Sequence, residues 1–417
     1  MKASVRDITQ AYPQSVTELA REILAYLPKQ IEHLYPKGTI MIIRKPLYGI
    51  AEAGTHWWVT YHTHHIEKLH MQTSSYDPCL LISTTQDAFA VVALQTDDTL
   101  ILGNKPFHDK EAKELKKASF MAKPAELLTA ANGLTFNGCK LIQEDDDLRI
   151  VQKGQGKKIK TVDVGSKHRN DDYREQRARG AYLSSICQPE ASFDLSVAAQ
   201  HQEPTDDDVR ALNKRLQWQI DNPERGLCYI PLNLSHTKLF VYVDGSFANN
   251  KDLSSQIGFV IFMAEEEHIS KAFKIKGNLI HWSSTKSKRV TRSVLASEIY
   301  AMVAGVDMAI VMSQTLDTIL KQLHLPALPT VVCTNSYSLY DCLVKLGTTK
   351  EKRLMIDIMA LRQSYERREL AEVRWIKGDD NPADAMTKAS PNKALEKALN
   401  DNELTVRVEG WVVRKEK

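Results

Sequence analysis

Four polar residues in the second half of the chain stand in or beside apolar segments. Asp244 closes Leu239-Phe240-Val241-Tyr242-Val243, Glu298 lies in a helical stretch with an apolar stripe, Asn335 follows Val331-Val332-Cys333, and Asp384 comes just after Asn381-Pro382. Hydrolysis of a phosphodiester by two divalent ions needs several oxygen ligands, with one ion activating water and the other stabilising the leaving oxygen, and carboxylates supply such ligands. Taken singly, each residue also has a plainer reading: Asp244-Gly245 as a turn, Glu298 as a solvated helix residue, Asp384 as an N-cap. A further acidic pair, Asp97-Asp98, stands between two apolar strands and by itself reads as a hairpin turn.

The elements that must position these groups follow from periodicity. Residues 239–243, 256–263 and 278–282 read as three consecutive strands, and Leu295, Ile299, Met302, Val303 and Val306 recur at helical spacing. A short buried strand at 331–333, a helix over 351–368 and a strand at 372–376 follow, and Ala383 to Lys388 reads as a helix start. Upstream, Thr205 followed by Asp206, Asp207 and Asp208 predicts a capped helix carrying Val209, Leu212, Leu216 and Ile220. Gln152 to Gly180 is charged and lacks apolar periodicity, which predicts a linker or mobile loop. The tail after Ser390 holds Leu395, Leu399, Leu404, Val406 and Trp411 and is expected to pack before ending in Arg414-Lys415-Glu416-Lys417.

A chain of 417 residues, 43% hydrophobic, can bury more than one core. Its apolar runs are too short to predict a membrane span, and residues 1–7 have no signal-peptide core, so an intracellular setting, cytoplasm or nucleus, is expected. Six scattered cysteines without a CxxC pair argue against a zinc ribbon or disulfide framework. A net charge of +3 implies no nucleic-acid partner by itself, but basic residues cluster locally, in 153–179 and at Lys286, Lys288, Arg289 and Arg292. The second cluster, beside Glu298, is the candidate nucleic-acid contact. His62, His64 and His65 lack the spacing to share a metal from one helical face, and Trp57 and Trp58 read as core aromatics before base-stacking ones.

The motifs add a resemblance. Val241-Tyr242-Val243-Asp244-Gly245-Ser246, Trp282-Ser283-Ser284-Thr285-Lys286, Leu295-Ala296-Ser297-Glu298-Ile299-Tyr300, Cys333-Thr334-Asn335-Ser336 and Asn381-Pro382-Ala383-Asp384-Ala385-Met386-Thr387-Lys388 resemble the ribonuclease H motifs of copia-type retrotransposon polyproteins. Arg6-Asp7-Ile8-Thr9-Gln10-Ala11-Tyr12, Lys45-Pro46-Leu47-Tyr48-Gly49-Ile50 and Leu94-Gln95-Thr96-Asp97-Asp98-Thr99-Leu100 resemble the reverse transcriptase of the same family, although the usual tyrosine before the paired aspartates is absent. Residues 181–194, and the helix after Thr205 with its end at Tyr229, resemble the segment joining the two.

This resemblance implies a multidomain chain of α/β and α+β class. A partial reverse-transcriptase palm spans 1–150, a basic linker and connection segment 151–236, a ribonuclease H-like domain with a mixed five-stranded sheet and flanking helices 237–392, and a tail 393–417. It implies two Mg²⁺ (or Mn²⁺) per intact site, held by Asp244, Glu298 and Asp384 in one domain and by Asp7, Asp97 and Asp98 in the other, with RNA, DNA and RNA–DNA hybrids as partners and no small-molecule cofactor. The family pattern has aspartate where this chain has Asn335, and an amide offers one carbonyl oxygen without charge, so impaired hydrolysis is expected. The family's fingers precede the first aspartate, whereas only six residues precede Asp7, so unaided DNA synthesis is not expected. A remnant that binds nucleic acid without turning it over is the competing expectation. Metal-dependent cleavage of an RNA strand separates the two.

Overall fold

The computed structural model describes residues 1–349 and 351–412, so the charged end at Arg414–Lys417 lies outside the described residues. The chain divides into two compact units, Met1–Leu128 and Thr129–Lys417.

In the first unit, β1 (Lys2–Asp7) is followed by a hairpin of β2 (Ile23–Tyr26) and β3 (Ile40–Ile43), then α1 (Ala53–Leu69), β4 (Met71–Thr73), β5 (Leu80–Ser83), β6 (Ala90–Gln95), β7 (Asp98–Gly103), α2 (Lys105–Lys117) and β8 (Glu126–Leu127). Six of the strands form one antiparallel sheet in the order β4-β5-β6-β7-β1-β8. Alternation explains it: Ala90, Val92 and Leu94 turn inward from β6, and Trp57, Tyr61 and Leu69 of α1 close over them with Phe107 of α2. Asn104 caps α2 by accepting from the Phe107 amide, and its buried Glu111 receives Arg6 of β1 at 2.6 Å, joining helix to sheet.

The second unit opens with β9 (Leu134–Phe136), β10 (Cys139–Glu144) and β11 (Asp147–Gln152), which pair in one antiparallel sheet with the distant β12 (Leu227–Tyr229). Between them lie α3 (Arg169–Ile186), α4 (Ser192–Ala198) and α5 (Asp206–Asp221), packed on Tyr173, Leu183, Leu195, Val209, Leu212 and Leu216. A capping box between Thr205 and Asp208 starts α5. Then come β13 (Thr237–Ser246), β14 (Gln256–Ile269), β15 (Ala272–Lys286), α6 (Val294–Gln322), β16 (Thr330–Thr334), α7 (Tyr337–Val344), α8 (Leu354–Glu366), β17 (Glu372–Ile376), α9 (Ala394–Asp401) and β18 (Glu403–Trp411). The strands close in the order β13-β14-β15-β18-β17-β16, with β13/β16 and β16/β17 parallel. Val241, Val243 and Ile261 pack against Ile299, Met302 and Val306 of α6, while Phe240, Tyr242 and Phe262 face the other way toward Met386 and α9.

Five expectations change. The expected five-stranded sheet has six strands, because β18 pairs with both β15 and β17 and removes two free edges. Trp411 of that strand covers the fully buried Arg374 guanidinium at 4.4 Å, with Phe273 at 4.5 Å, and Glu372 accepts from it at 2.7 Å. The segment expected to be a linker holds most of α3, whose buried face is carried by Tyr173, Gln176, Gly180 and Leu183, with too few large apolar residues to register as periodic. Residues 382–386 form a 3₁₀ turn, and the helix begins only at Ala394. The compact division falls after Leu128, not near 150, because β10 and β11 belong with β12. Finally, α6 is long and apolar enough to cross a membrane, although about half of that stretch is buried, largely against β13 and β14.

Candidate functional site

The second unit brings Asp244, Glu298, Asn335 and Asp384 together. Asp244 lies near the end of β13, opposite Gly258 of β14 and one residue past the last partner of the parallel β16, and Gly245 follows because no side chain fits: a Cβ there would sit 2.7 Å from the Glu298 amide nitrogen and closer still to Ser297. This close approach seats the first turn of α6 on the strand end and sets Glu298 beside Asp244. Ser293 caps α6 by accepting from the Ala296 amide. Asp384 arrives on the 3₁₀ turn, which Asn381 organises by accepting from the Ala383 amide at 3.1 Å while donating to Val243 O at 2.9 Å. The same Asn381 amide donates to Asn335 Oδ1 at 3.2 Å, and Asn335 in turn hydrogen-bonds Asp244.

All three carboxylates are buried, at 2% exposure for Asp244, 6% for Glu298 and 5% for Asp384. Burial pushes the Asp244 carboxyl up against the opposing pull of Lys388, Thr387 and Asn335. Burial, with the neighbouring Asp244 charge, pushes Glu298 well above the ordinary range. Glu298 Oε2 has no hydrogen-bond partner, whereas Asp384 Oδ2 accepts from the Asn392 amide at 2.8 Å. Thr387 Oγ donates to Asp244, and Lys388 Nζ donates to Asp384 while lying 4.0 Å from Asp244. Burial works against the Lys388 charge, yet the surrounding carboxylates hold its pKa above the usual lysine value.

An orphaned buried carboxylate oxygen beside two further carboxylates is a donor set of hard oxygens, which fits Mg²⁺ or Mn²⁺. Among the described residues, however, no three acidic, histidine or cysteine side chains are already gathered in a coordinating group. Lys388 supplies the positive charge instead. Thr387, Lys388, Asn381 and Asn392 contact the cluster and were not singled out by the sequence reading, although three of them lie within the run 381–388.

In the first unit, Asp7 and Asp98 are register partners at the ends of β1 and β7, and Asp97 O accepts from the Ile8 amide at 2.8 Å. Lys123 Nζ reaches Asp7 Oδ2 at 3.0 Å. The hairpin turn holds Thr96 at a φ of 54°, and Trp57 Nε1 donates to its carbonyl at 2.5 Å. Tyr48, its ring 4.5 Å from that of Tyr12, has a hydroxyl raised by burial and by the charges of Asp97 and Asp7, so it faces the same acidic group. Trp57 is a core residue, as expected. Trp58 stacks on His62 at 4.6 Å, and His65 is fully buried, pushed down to about 3, and bonded to Tyr61 O.

Of the four basic residues expected to touch nucleic acid, Lys286 pairs with Asp252, and Arg289 pairs with Asp357 at 3.0 Å and lies over the Tyr300 ring at 5.0 Å. Lys288 and Arg292 are exposed.

No protein-family model matches the chain, and no curated protein sequence does. Among solved structures it is similar to a ribonuclease H1 isolated from compost, at 21% identity and a TM-score of 0.27 over 39% of this chain and 98% of that one. It is similar to the ribonuclease H1 of the halophilic archaeon Halobacterium salinarum, at 15% identity and a TM-score of 0.26 over 39% and 99%. A foamy viral protease-reverse transcriptase in complex with dsDNA is similar over 87% of this chain and 66% of its own, at 11% identity and a TM-score of 0.21.

Proposed function

We propose that the Thr129–Lys417 unit is a nuclease site for the RNA strand of RNA–DNA hybrids, and that Met1–Leu128 carries the palm of a copia-type reverse transcriptase. The observation that carries the first part is the convergence of Asp244, Glu298 and Asp384, from three separate segments, into one buried group with an unpartnered carboxylate oxygen. Structural carboxylates are normally satisfied, and perturbed acids gathered in one place mark functional sites. Asp244, Glu298 and Asp384 would hold divalent ions, which supply the charge that activates water and stabilises the leaving oxygen. Around them Thr387 orients Asp244, Asn392 fixes Asp384, and Asn381 ties the turn to β13. For the palm, Asp7 and Asp98 facing each other beside Asp97 are the acids that a two-ion polymerase site requires.

A non-catalytic nucleic-acid binder is the second reading, favoured by Asn335 in place of a carboxylate and by Lys388 already balancing the cluster. Cleavage of a labelled RNA–DNA hybrid in Mg²⁺ and in Mn²⁺ decides. Wild-type cutting that Asp244→Asn abolishes supports the nuclease. Cutting by Asn335→Asp alone, expected at least about tenfold above wild type because a metal-facing charge is restored, locates the lesion at Asn335. Silence from all three leaves the binder.

A further inference from the structure

Beside the carboxylate cluster, a groove of about 560 Å³ runs between α3, α4 and the stretch of β15 that β18 does not cover. Its lining is unusual in composition. Ser184, Ser192, Ser196 and Ser284 line it, Trp282 forms part of one wall, and among the described residues no aspartate or glutamate contributes. The one ionised group at neutral pH is Arg177, since burial depresses the groove's histidine, His281.

Arg177 is half-buried and makes no hydrogen bond or ion pair among the described residues, in contrast to Arg169 and Arg179 of the same helix, which reach Asp206 at 2.7 Å and Glu175 respectively. A guanidinium held in a polar groove without an anion lacks the partner its five donors require. The serines add donors. Ser196 Oγ accepts from Gln256 at 2.9 Å, which leaves its hydroxyl hydrogen free. Ser184 and Ser192 share one bond of 2.8 Å, so one hydrogen of that pair is also free. Trp282 is anchored by donating to Ser184 O at 3.2 Å, which fixes its ring in the wall. The groove is joined to the site through Ser284, whose hydroxyl donates to Met386 O at 2.6 Å, two residues beyond Asp384.

Hydroxyl donors, one unpaired guanidinium, an aromatic wall and no carboxylate are the complement of a sugar–phosphate backbone. We propose that this groove seats the phosphodiester backbone of a nucleic-acid strand, with Arg177 on a phosphate, the Ser196 hydroxyl on a phosphate oxygen and Trp282 against a sugar or base. The assignment rests on the nucleic-acid reading of the carboxylate cluster and adds a second point of contact to it. It also differs from the basic cluster at 286–292, half of which is engaged by the protein's own acids.

The test is fluorescence anisotropy of a labelled RNA–DNA hybrid with the full chain in EDTA, which prevents turnover, across a salt series. Arg177→Ala is expected to weaken binding about tenfold and to lower the salt slope by roughly one, the loss of one phosphate contact. Arg177→Lys should restore the slope but not the full affinity. Ser196→Ala in the Arg177→Ala background should weaken binding further. Unchanged affinity and slope in Arg177→Ala, with both reduced in a Lys288→Ala/Arg292→Ala variant, would overturn the groove while leaving the nucleic-acid reading intact. Displacement of the hybrid by inorganic phosphate, beyond what chloride achieves at matched ionic strength, would make the groove a small-anion site and overturn the strand assignment. Absence of salt-dependent hybrid binding by wild type would overturn both readings.

Discussion

At Lys388 the chain has placed an ammonium among three buried carboxylates, and at Asn335 it has an amide beside Asp244. Both features reduce the negative charge that a divalent ion would see. Lys388 donates to Asp384, lies 4.0 Å from Asp244 and is held charged by the surrounding carboxylates against the cost of its partial burial. The ammonium therefore stays in place and competes with metal. Lys388→Met should bind Mn²⁺ several-fold more tightly by calorimetry. In EDTA it should also lose about 1–2 kcal/mol of stability, since a half-exposed partner has been taken from buried acids, and Mn²⁺ should recover that loss. Equal Mn²⁺ affinity in both proteins would show that the ammonium is a bystander. The four cluster positions were readable because Asp244 and Asn335 follow apolar strand runs, Glu298 falls in an apolar-striped helix and Asp384 follows Asn381-Pro382. The roles of Thr387 and Lys388 were not, because a hydroxyl and an ammonium at those positions declare themselves only when the 3₁₀ turn folds them back onto β13.

At the scale of elements, the site depends on how closely α6 approaches β13. Gly245 sets that distance, since any Cβ would strike the backbone of Ser297 and Glu298, and backbone cannot swing aside as a side-chain tip can. Gly245→Ala should destabilise the protein by about 2–3 kcal/mol in urea, because the helix must shift to admit the methyl group. It should also remove hydrolysis in any background that cuts, because Glu298 moves with the helix. A variant that keeps both wild-type stability and wild-type cleavage would show that the helix seat tolerates displacement. The strands β13 and β14 were legible from the apolar runs at 239–243 and 256–263, whereas β15 was legible only at 278–282, because its first half alternates apolar residues with lysines. The helix α3 was not, since its buried face uses Gln176 and Gly180 where a periodic reading expects large apolar residues; the glycine admits Leu195 and Leu216 closely enough that a Cβ would lie 3.0 and 3.1 Å from them. Pro382 and Asn381 mark a turn, but whether a helix or a 3₁₀ turn follows is settled by the side-chain bonds of Asn381 and Asn392, which reach across the fold.

For the whole molecule, what sequence left hidden is non-local pairing. The closure of the barrel depends on β18 finding two edges, and the division after Leu128 depends on β11 meeting β12, strands far apart in sequence. Neither leaves a local pattern. The consequence is measurable, because each unit has its own buried core: Trp57, Tyr61, Leu81, Ile101 and Phe107 in the first, and three clusters in the second, around α6, inside the barrel, and among α3, α4 and α5. A unit with a complete core and satisfied strand edges folds alone. Residues 129–417 expressed by themselves should give the near-ultraviolet circular dichroism of a packed barrel, with aromatic signals from Tyr242, Trp282 and Trp411, and should melt in one cooperative step at the temperature of one of two transitions in the full chain. Cutting after residue 150 instead would remove β9, β10 and the part of β11 that pairs with β12, strip β12 of its partner and expose Leu227, so that fragment should melt several degrees lower or aggregate. If the shorter fragment were equally stable, the edge of the second unit would lie near 150 and the β9–β12 sheet would be an accessory to it.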